Sequence, residues 1–225
     1  MTSGSNYPPV IPPGLSVHSI SESLKRISDI VLSLAGILIT APFVLIYTLY
    51  AALLTRRSPF LIQSRTISTA HPVIKVPKLR TLRPIIHLYY GKTDAVSRES
   101  EIKAAYIPFG RTVRTHHFDK LPQLINVLKG EMSLIGPKAF SIEKLRRIQT
   151  IDAQQMQLRT IIKSKPGISG LWQVNRIIPF SIEELMFYDL LYEREKCFIT
   201  DMKILLKTFG LILFRRNIDT SEDGK

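Results

Sequence analysis

The chain has 225 residues, 45% of them hydrophobic, which suits one domain with or without a membrane segment and argues against wholesale disorder. Its 31 Lys and Arg against 18 Asp and Glu give a formal net charge of +13, suited to lipid head groups, phosphorylated substrates or nucleic acid. A single cysteine, Cys197, excludes an intramolecular disulfide framework and a cysteine-only zinc site.

Residues 1–20 carry no Asp, Glu, Lys or Arg and contain Pro8, Pro9, Pro12 and Pro13, the composition of a flexible or polyproline-like tail. Residues 24–57 form the membrane unit. Within it, the uncharged run 30–54 exceeds the ~20 residues that a helix needs to cross a hydrocarbon core. Pro42 lies mid-run, where it deletes a backbone donor and clashes with the preceding turn, so a kink is predicted there. Lys25 and Arg26 precede the run and Arg56 and Arg57 follow it, so the positive-inside bias names no cytoplasmic end. A re-entrant helix that bends at Pro42 and returns would put both basic ends on the anionic cytoplasmic surface. An ordinary kinked transmembrane anchor fits the composition equally well. A cleaved signal peptide fits less well, because the run starts late, is long and lacks a clear small-x-small site.

Residues 58–214 read as one soluble part of mixed helix and strand, an α/β (α+β, helix-rich) fold class. Segments 59–67 and 73–82 are expected to be extended, and the polar 91–105 a loop or surface helix. Leu121, Leu124, Ile125 and Leu128 fall at i, i+3, i+4 and i+7, predicting a helix over 121–129 stopped by Gly130. Further helices are predicted over 142–162 and 182–195. The apolar stretch 204–214, broken by Lys207 and framed by Lys203, Arg215 and Arg216, is too short to span a bilayer. It suits the membrane interface or the core equally. Residues 215–225 read as a polar tail, and no internal repeat is present.

The chemistry concentrates in 111–137. Asp119 stands in the N-cap region of the predicted helix, with Pro122 in its first turn. On pattern alone a capping aspartate, worth ~1 kcal/mol, is the stronger reading. A helix N-terminus is also an anion site, and Arg111 and Arg114 just upstream carry forked donors for phosphate. A carboxylate there can attack phosphorus where cations offset the repulsion between two anions. His116 and His117 are adjacent and have no spaced partners, which suits surface or capping roles better than metal ligation.

Several long motifs then carry a resemblance. They are Lys25-Arg-Ile-Ser-Asp29, Lys78-Leu-Arg-Thr-Leu82, Leu121-Pro-Gln-Leu-Ile-Asn-Val-Leu-Lys-Gly-Glu-Met-Ser-Leu-Ile-Gly-Pro137, Lys165-Pro-Gly-Ile-Ser-Gly-Leu-Trp-Gln-Val-Asn175, and Asp189-Leu-Leu-Tyr192 followed by Asp201. Together they resemble the bacterial sugar transferase family, the monotopic polyprenyl-phosphate phosphoglycosyl transferases, over roughly residues 24–214. The resemblance implies a re-entrant membrane helix and a compact catalytic part at the cytoplasmic face of the bacterial inner membrane. It also implies a two-step reaction. An aspartate, matched by Asp119, attacks the β-phosphate of a nucleotide-diphosphate sugar, and polyprenyl phosphate then takes the phospho-sugar. Lys78, Arg80, Arg111, Arg114 and Lys138 fall on phosphate-binding candidate positions, and Asp189 on a further acidic one. Trp172 reads as structural, with contact to a nucleotide base as the alternative. Membrane lipids are expected partners and nucleic acid is not, since no DNA- or RNA-binding module accompanies the charge. A homo-oligomer is compatible with the pattern.

The resemblance also implies Mg²⁺, held in part by a glutamate after the nucleophile. Here that position is Lys120, and an ammonium group cannot ligate a cation. Lys120 can instead neutralise the diphosphate itself, a cruder device than a bridging metal. The family's Gly-Pro-Arg-Pro reads Gly136-Pro137-Lys138-Ala139, a basic position reads Ala105, and the expected Gly-Arg after Asn175 reads Arg176-Ile177. These departures open an alternative, a non-catalytic membrane-bound relative that binds nucleotide sugar, lipid phosphate or an assembly partner.

Overall fold

The computed structural model describes residues 19–83, 104–175 and 182–213. Most of the expected N-terminal tail, most of 91–105, the Arg176-Ile177 position and the C-terminal tail lie outside the described residues.

Helix α1, Ser19–Thr55, is a continuous α-helix with Pro42 inside it, and no turn separates its two halves. Proline removes one backbone donor from the helix at that position. Asp29, Ser33, Tyr47 and Ala51 are buried on one stripe, and Gly36 between them faces Leu124. The 3–4 residue spacing is that of one helical face. The opposite face leaves Ile27, Val31, Leu38, Ile39, Leu45, Ile46, Leu49 and Leu53 exposed. Polar anchors fix the first half. Lys25 Nζ donates to the Ile135 carbonyl at 3.0 Å, the Tyr192 hydroxyl at 3.2 Å and Asp201 Oδ2 at 2.5 Å. Arg26 donates to the carbonyls of Val127 at 2.6 Å and Leu128 at 2.8 Å, and Asp29 accepts from Leu134 N–H at 3.1 Å. In the second half the Tyr47 hydroxyl donates to the Arg80 carbonyl at 3.1 Å.

The two expected extended segments form an antiparallel pair, β1 (Phe60–Thr66) and β2 (Ile74–Leu79), in register from Phe60 opposite Leu79 to Arg65 opposite Ile74. A short strand β4 (Phe140–Ser141) adds to the free edge of β1. Strands β3 (Ser133–Ile135) and β5 (Gly167–Ser169) pair in parallel as a second sheet.

Two helix expectations need correction. The segment expected as a helix over 121–129 is a 3-10 turn, Phe118–Gln123, followed by α3, Leu124–Lys129, which ends at Gly130 with φ 82°. Pro122 inside the tight turn has no N–H to give, so a regular α-helix begins only after it. Asp119 therefore lies inside the turn and does not cap a helix. The N-cap position belongs to His117, at φ 58°, with no side-chain cap bond. The segment 142–162 divides at Asp152 into α4 (Ile142–Ile151) and α5 (Ala153–Thr160). The remaining helices are α2 (Gly110–Thr115, before the 3-10 turn), α6 (Leu171–Val174), α7 (Ile182–Glu195) and α8 (Phe198–Leu213). Helix α8 begins earlier than the apolar stretch suggested, and one side of it packs into the core. Ile204 is buried against Ile135 and Tyr192, while Ile199, Leu206 and Phe209 are exposed.

Candidate active site

The motif halves 121–137 and 165–175, remote in sequence, meet through the β3–β5 pair. Gly136 N–H donates to the Ser169 carbonyl and Gly167 N–H to the Pro137 carbonyl, both at 3.0 Å. This approach requires glycine. A Cβ on Gly136 would strike the Lys165 carbonyl oxygen, and one on Gly167 would strike Gly136 N and the Ser169 carbonyl oxygen. Above this junction opens a cleft with Arg65 of β1, Lys78 of β2, Lys120 of the 3-10 turn and Lys138 on its wall, together with Gln123 and Trp172. Each of the four cationic residues is less than a tenth exposed. Lys138 Nζ lies 4.1 Å and Lys120 Nζ 5.9 Å from the centroid of the Trp172 ring, so one indole faces two ammonium groups.

Lys138 is held from behind. Asp189 of α7 accepts its N–H through both carboxylate oxygens at 3.1 Å, and Arg159 of α5 donates from Nη2 to its carbonyl at 2.6 Å. Arg159 Nη1 donates to Asp189 Oδ2 at 2.6 Å and Nε to the Ile67 carbonyl at 2.9 Å, with its guanidinium 4.7 Å from the Phe140 ring centroid. Burial pushes the Asp189 carboxyl above the usual carboxylate range, against the pull of Arg159 and Lys138. Asp189 thus meets the site through the peptide of Lys138 and not across the cleft.

Asp119 is buried beside Lys120, but its side chain does not line the cleft. It lies within electrostatic reach of Tyr47 on α1. Phe118 packs on the same helix, with its ring 5.3 Å from that of Phe43. Gly36 faces Leu124 and Phe43 faces Phe118, so residues on both sides of Pro42 rest on the segment that carries Asp119.

A family model described as "Bacterial sugar transferase" matches residues 20–215. The chain belongs to the bacterial sugar transferase family. It is 31% identical over 207 residues to an uncharacterized sugar transferase of Haemophilus influenzae, covering 87% of this chain and 42% of that protein. It is 29% identical over 211 residues to the undecaprenyl-phosphate galactose phosphotransferase of Salmonella typhimurium, covering 87% and 41%. It is 28% identical over 190 residues to the exopolysaccharide production protein PSS of Rhizobium leguminosarum bv. phaseoli, covering 82% and 92%. The chain spans less than half the length of the first two relatives.

In this sugar transferase family member, the fold brings three of the expected residues to one cleft: Lys78, Lys120 and Lys138. Three others stand apart from its wall. Arg80 Nε donates to the Ser58 carbonyl at 2.7 Å, near the end of α1. Arg111 and Arg114 lie on α2, exposed and half-buried respectively. Arg65 and Arg159 were not anticipated. Arg65 had no signal in local pattern, since its neighbours in the cleft come from other elements. Arg159 had one: it takes a core position between Met156 and Ile162 at i, i+3 spacing. Among the described residues no group of three His, Cys, Asp or Glu could hold a metal ion, and the charged side chains on the cleft wall are all cationic.

Proposed function

We propose that this chain transfers a sugar-1-phosphate from a nucleotide-diphosphate sugar to polyprenyl phosphate at the cytoplasmic face of the membrane, starting exopolysaccharide or glycan assembly. The observation that carries this reading is the cleft walled by Arg65, Lys78, Lys120 and Lys138 next to buried Asp119. Four cations around one opening stabilise phosphate charge in the ground state and the transition state. In the first step an Asp119 oxygen bonds to the β-phosphorus, and the bond to the bridging oxygen breaks. The nucleoside monophosphate leaves with that electron pair. In the second step an oxygen of polyprenyl phosphate bonds to the same phosphorus, and the Asp119 carboxylate is released. The name of the Salmonella relative, which pairs undecaprenyl phosphate with galactose phosphotransfer, supports the acceptor class.

Membrane attachment is proposed as monotopic and re-entrant. The support is the docking of α1 on both sides of Pro42 against one segment of the catalytic part, with its apolar outer face left exposed. A domain seated along one face of the helix from Lys25 to Ala51 would have to enter the bilayer with it if α1 crossed, which favours attachment from one side.

Lys120 in place of the expected glutamate favours a second reading, a non-catalytic relative that binds the same ligands. The test uses purified protein in nanodiscs with a panel of uridine-diphosphate sugars and undecaprenyl phosphate, following release of nucleoside monophosphate. Turnover that disappears in Asp119→Asn is the expected result. Saturable nucleotide-sugar binding without turnover replaces the enzyme reading with the second one.

A further inference from the structure

We propose that the turn at Phe109 is a second membrane contact beside α1, whose ring enters the interfacial layer of the phospholipid bilayer. This rests on α1 being seated in the membrane. Phe109 stands just before α2 in the left-handed region, at φ 61°, where a bulky side chain is an outlier. Such a conformation persists only where its surroundings over-determine it. Here Ile107 is buried and donates its N–H to the Thr81 carbonyl at 3.1 Å, and Gly110 N–H donates to the Ile107 carbonyl at 2.8 Å. Gly110 lies so near Thr81 that a Cβ would strike the Thr81 carbonyl oxygen. The turn is pinned on both sides, yet the Phe109 residue it presents is 74% exposed. A strained backbone thus aims an aromatic ring outward and not into the core.

What surrounds the ring identifies its occupant. The Phe109 ring meets that of Tyr50 on α1 edge to face, with centroids 6.4 Å apart, and the Tyr50 hydroxyl donates to the Pro108 carbonyl at 3.3 Å. Ile46 and Leu53 stand one turn to either side of Tyr50 and are both exposed, so Phe109 widens the apolar outer face of α1. That helix is long and apolar enough for a hydrocarbon environment. Arg111 on α2 is exposed, as are Arg56 and Arg57 just past the end of α1. Apolar and aromatic groups bordered by arginines match acyl chains lying below phosphate head groups.

The test uses the full chain in nanodiscs of equimolar phosphatidylcholine and phosphatidylglycerol, with part of the phosphatidylcholine doxyl-labelled near its head group. In a Cys197→Ser background an NBD probe is attached at Pro108→Cys, beside the intact ring. Reference probes sit at Leu45→Cys on the outer face of α1 and at Thr69→Cys beyond the far end of β1; all three positions are exposed. Doxyl quenching at position 108 at least about threefold above that at 69 is expected. Adding Phe109→Asp should reduce it at least about twofold, whereas Phe109→Leu should keep it. Aspartate tolerates the left-handed conformation, so it removes the ring without breaking the turn. Quenching at 45 with no more at 108 than at 69 overturns the inference and leaves the membrane seating of α1 in place. Quenching at 108 that Phe109→Asp does not change also overturns it, since the ring is then not what reaches the lipid. Quenching at neither 45 nor 108 removes the membrane seating of α1 as well. A probe at 108 that responds to the number of protein copies per nanodisc and not to doxyl lipid assigns this face to a second copy of the chain and overturns the lipid contact.

Discussion

Arg159 and Asp189, fully buried and joined at 2.6 Å, act together on a third residue: one holds the carbonyl and the other the N–H of Lys138. Removing one member of a buried pair strands the other charge, which costs about 3–5 kcal/mol. Asp189→Ala and Arg159→Met should therefore each lower the apparent Tm in nanodiscs sharply. The double variant Arg159→Met/Asp189→Leu should recover much of that loss, since no buried charge remains. It should not recover UDP affinity, because Lys138 is no longer aimed at Trp172. Calorimetry beside thermal unfolding separates the two effects.

The junction of Gly136 with Gly167 makes a sharper stability prediction. Gly167→Ala would put a Cβ onto the Gly136 backbone, where nothing flexible can yield, and should cost about 3 kcal/mol. Gly210→Ala on α8 is the contrast, since nothing lies within 4 Å of its Cβ position. It should gain about 0.5–1 kcal/mol of helix propensity. Apparent Tm values of the two variants should move in opposite directions.

Glu193 supplies an acid-dependent tie between α7 and the loop before β5. It accepts from Lys163 N–H and Ser164 N–H at 3.1 Å each, and from Lys196 Nζ at 2.8 Å. Burial pushes its carboxyl up, but these hydrogen bonds outweigh burial and hold it below the usual range. A depressed folded-state pKa adds stability above the unfolded value, and that stability is lost as pH falls through the folded one. Glu193→Gln should cost about 1–2 kcal/mol at pH 7. The gap between the parent and the variant should close as pH drops below about 4.3, the ordinary glutamate value, in a thermal-unfolding series across pH.

The membrane arrangement is tested by labelling. In a Cys197→Ser background, Ser23→Cys and Ser58→Cys flank the apolar part of α1, and both positions are exposed. An impermeant maleimide applied to spheroplasts should leave both unmodified, and lysis should make both reactive. Modification of one site in intact spheroplasts and of the other only after lysis would show a crossing helix and remove the re-entrant model.

Much of this architecture is local in origin and was legible from the chain. The β1–β2 pair, α7, the stop at Gly130 and the long apolar helix follow from side-chain periodicity, from turn chemistry and from length against bilayer thickness. Lys78, Lys120 and Lys138 were singled out as site candidates through long motifs, and the fold brings all three to one cleft.

What local pattern did not reveal is which pieces meet. Arg159 stands on the core side of its helix by spacing, but its partners appear only when Asp189, thirty positions away, and the Ile67 carbonyl, 92 positions away, are brought to it. Asp119 fits a helix cap by spacing, yet it sits inside a 3-10 turn because Pro122 delays the helix, and α1 packs on that turn. The cleft has the same character, with its cations drawn from β1, β2, the 3-10 turn and the segment after β3. Periodicity records how each residue faces its own helix or strand. The charge of a site is set by contacts between elements, and those form only when the chain closes on itself.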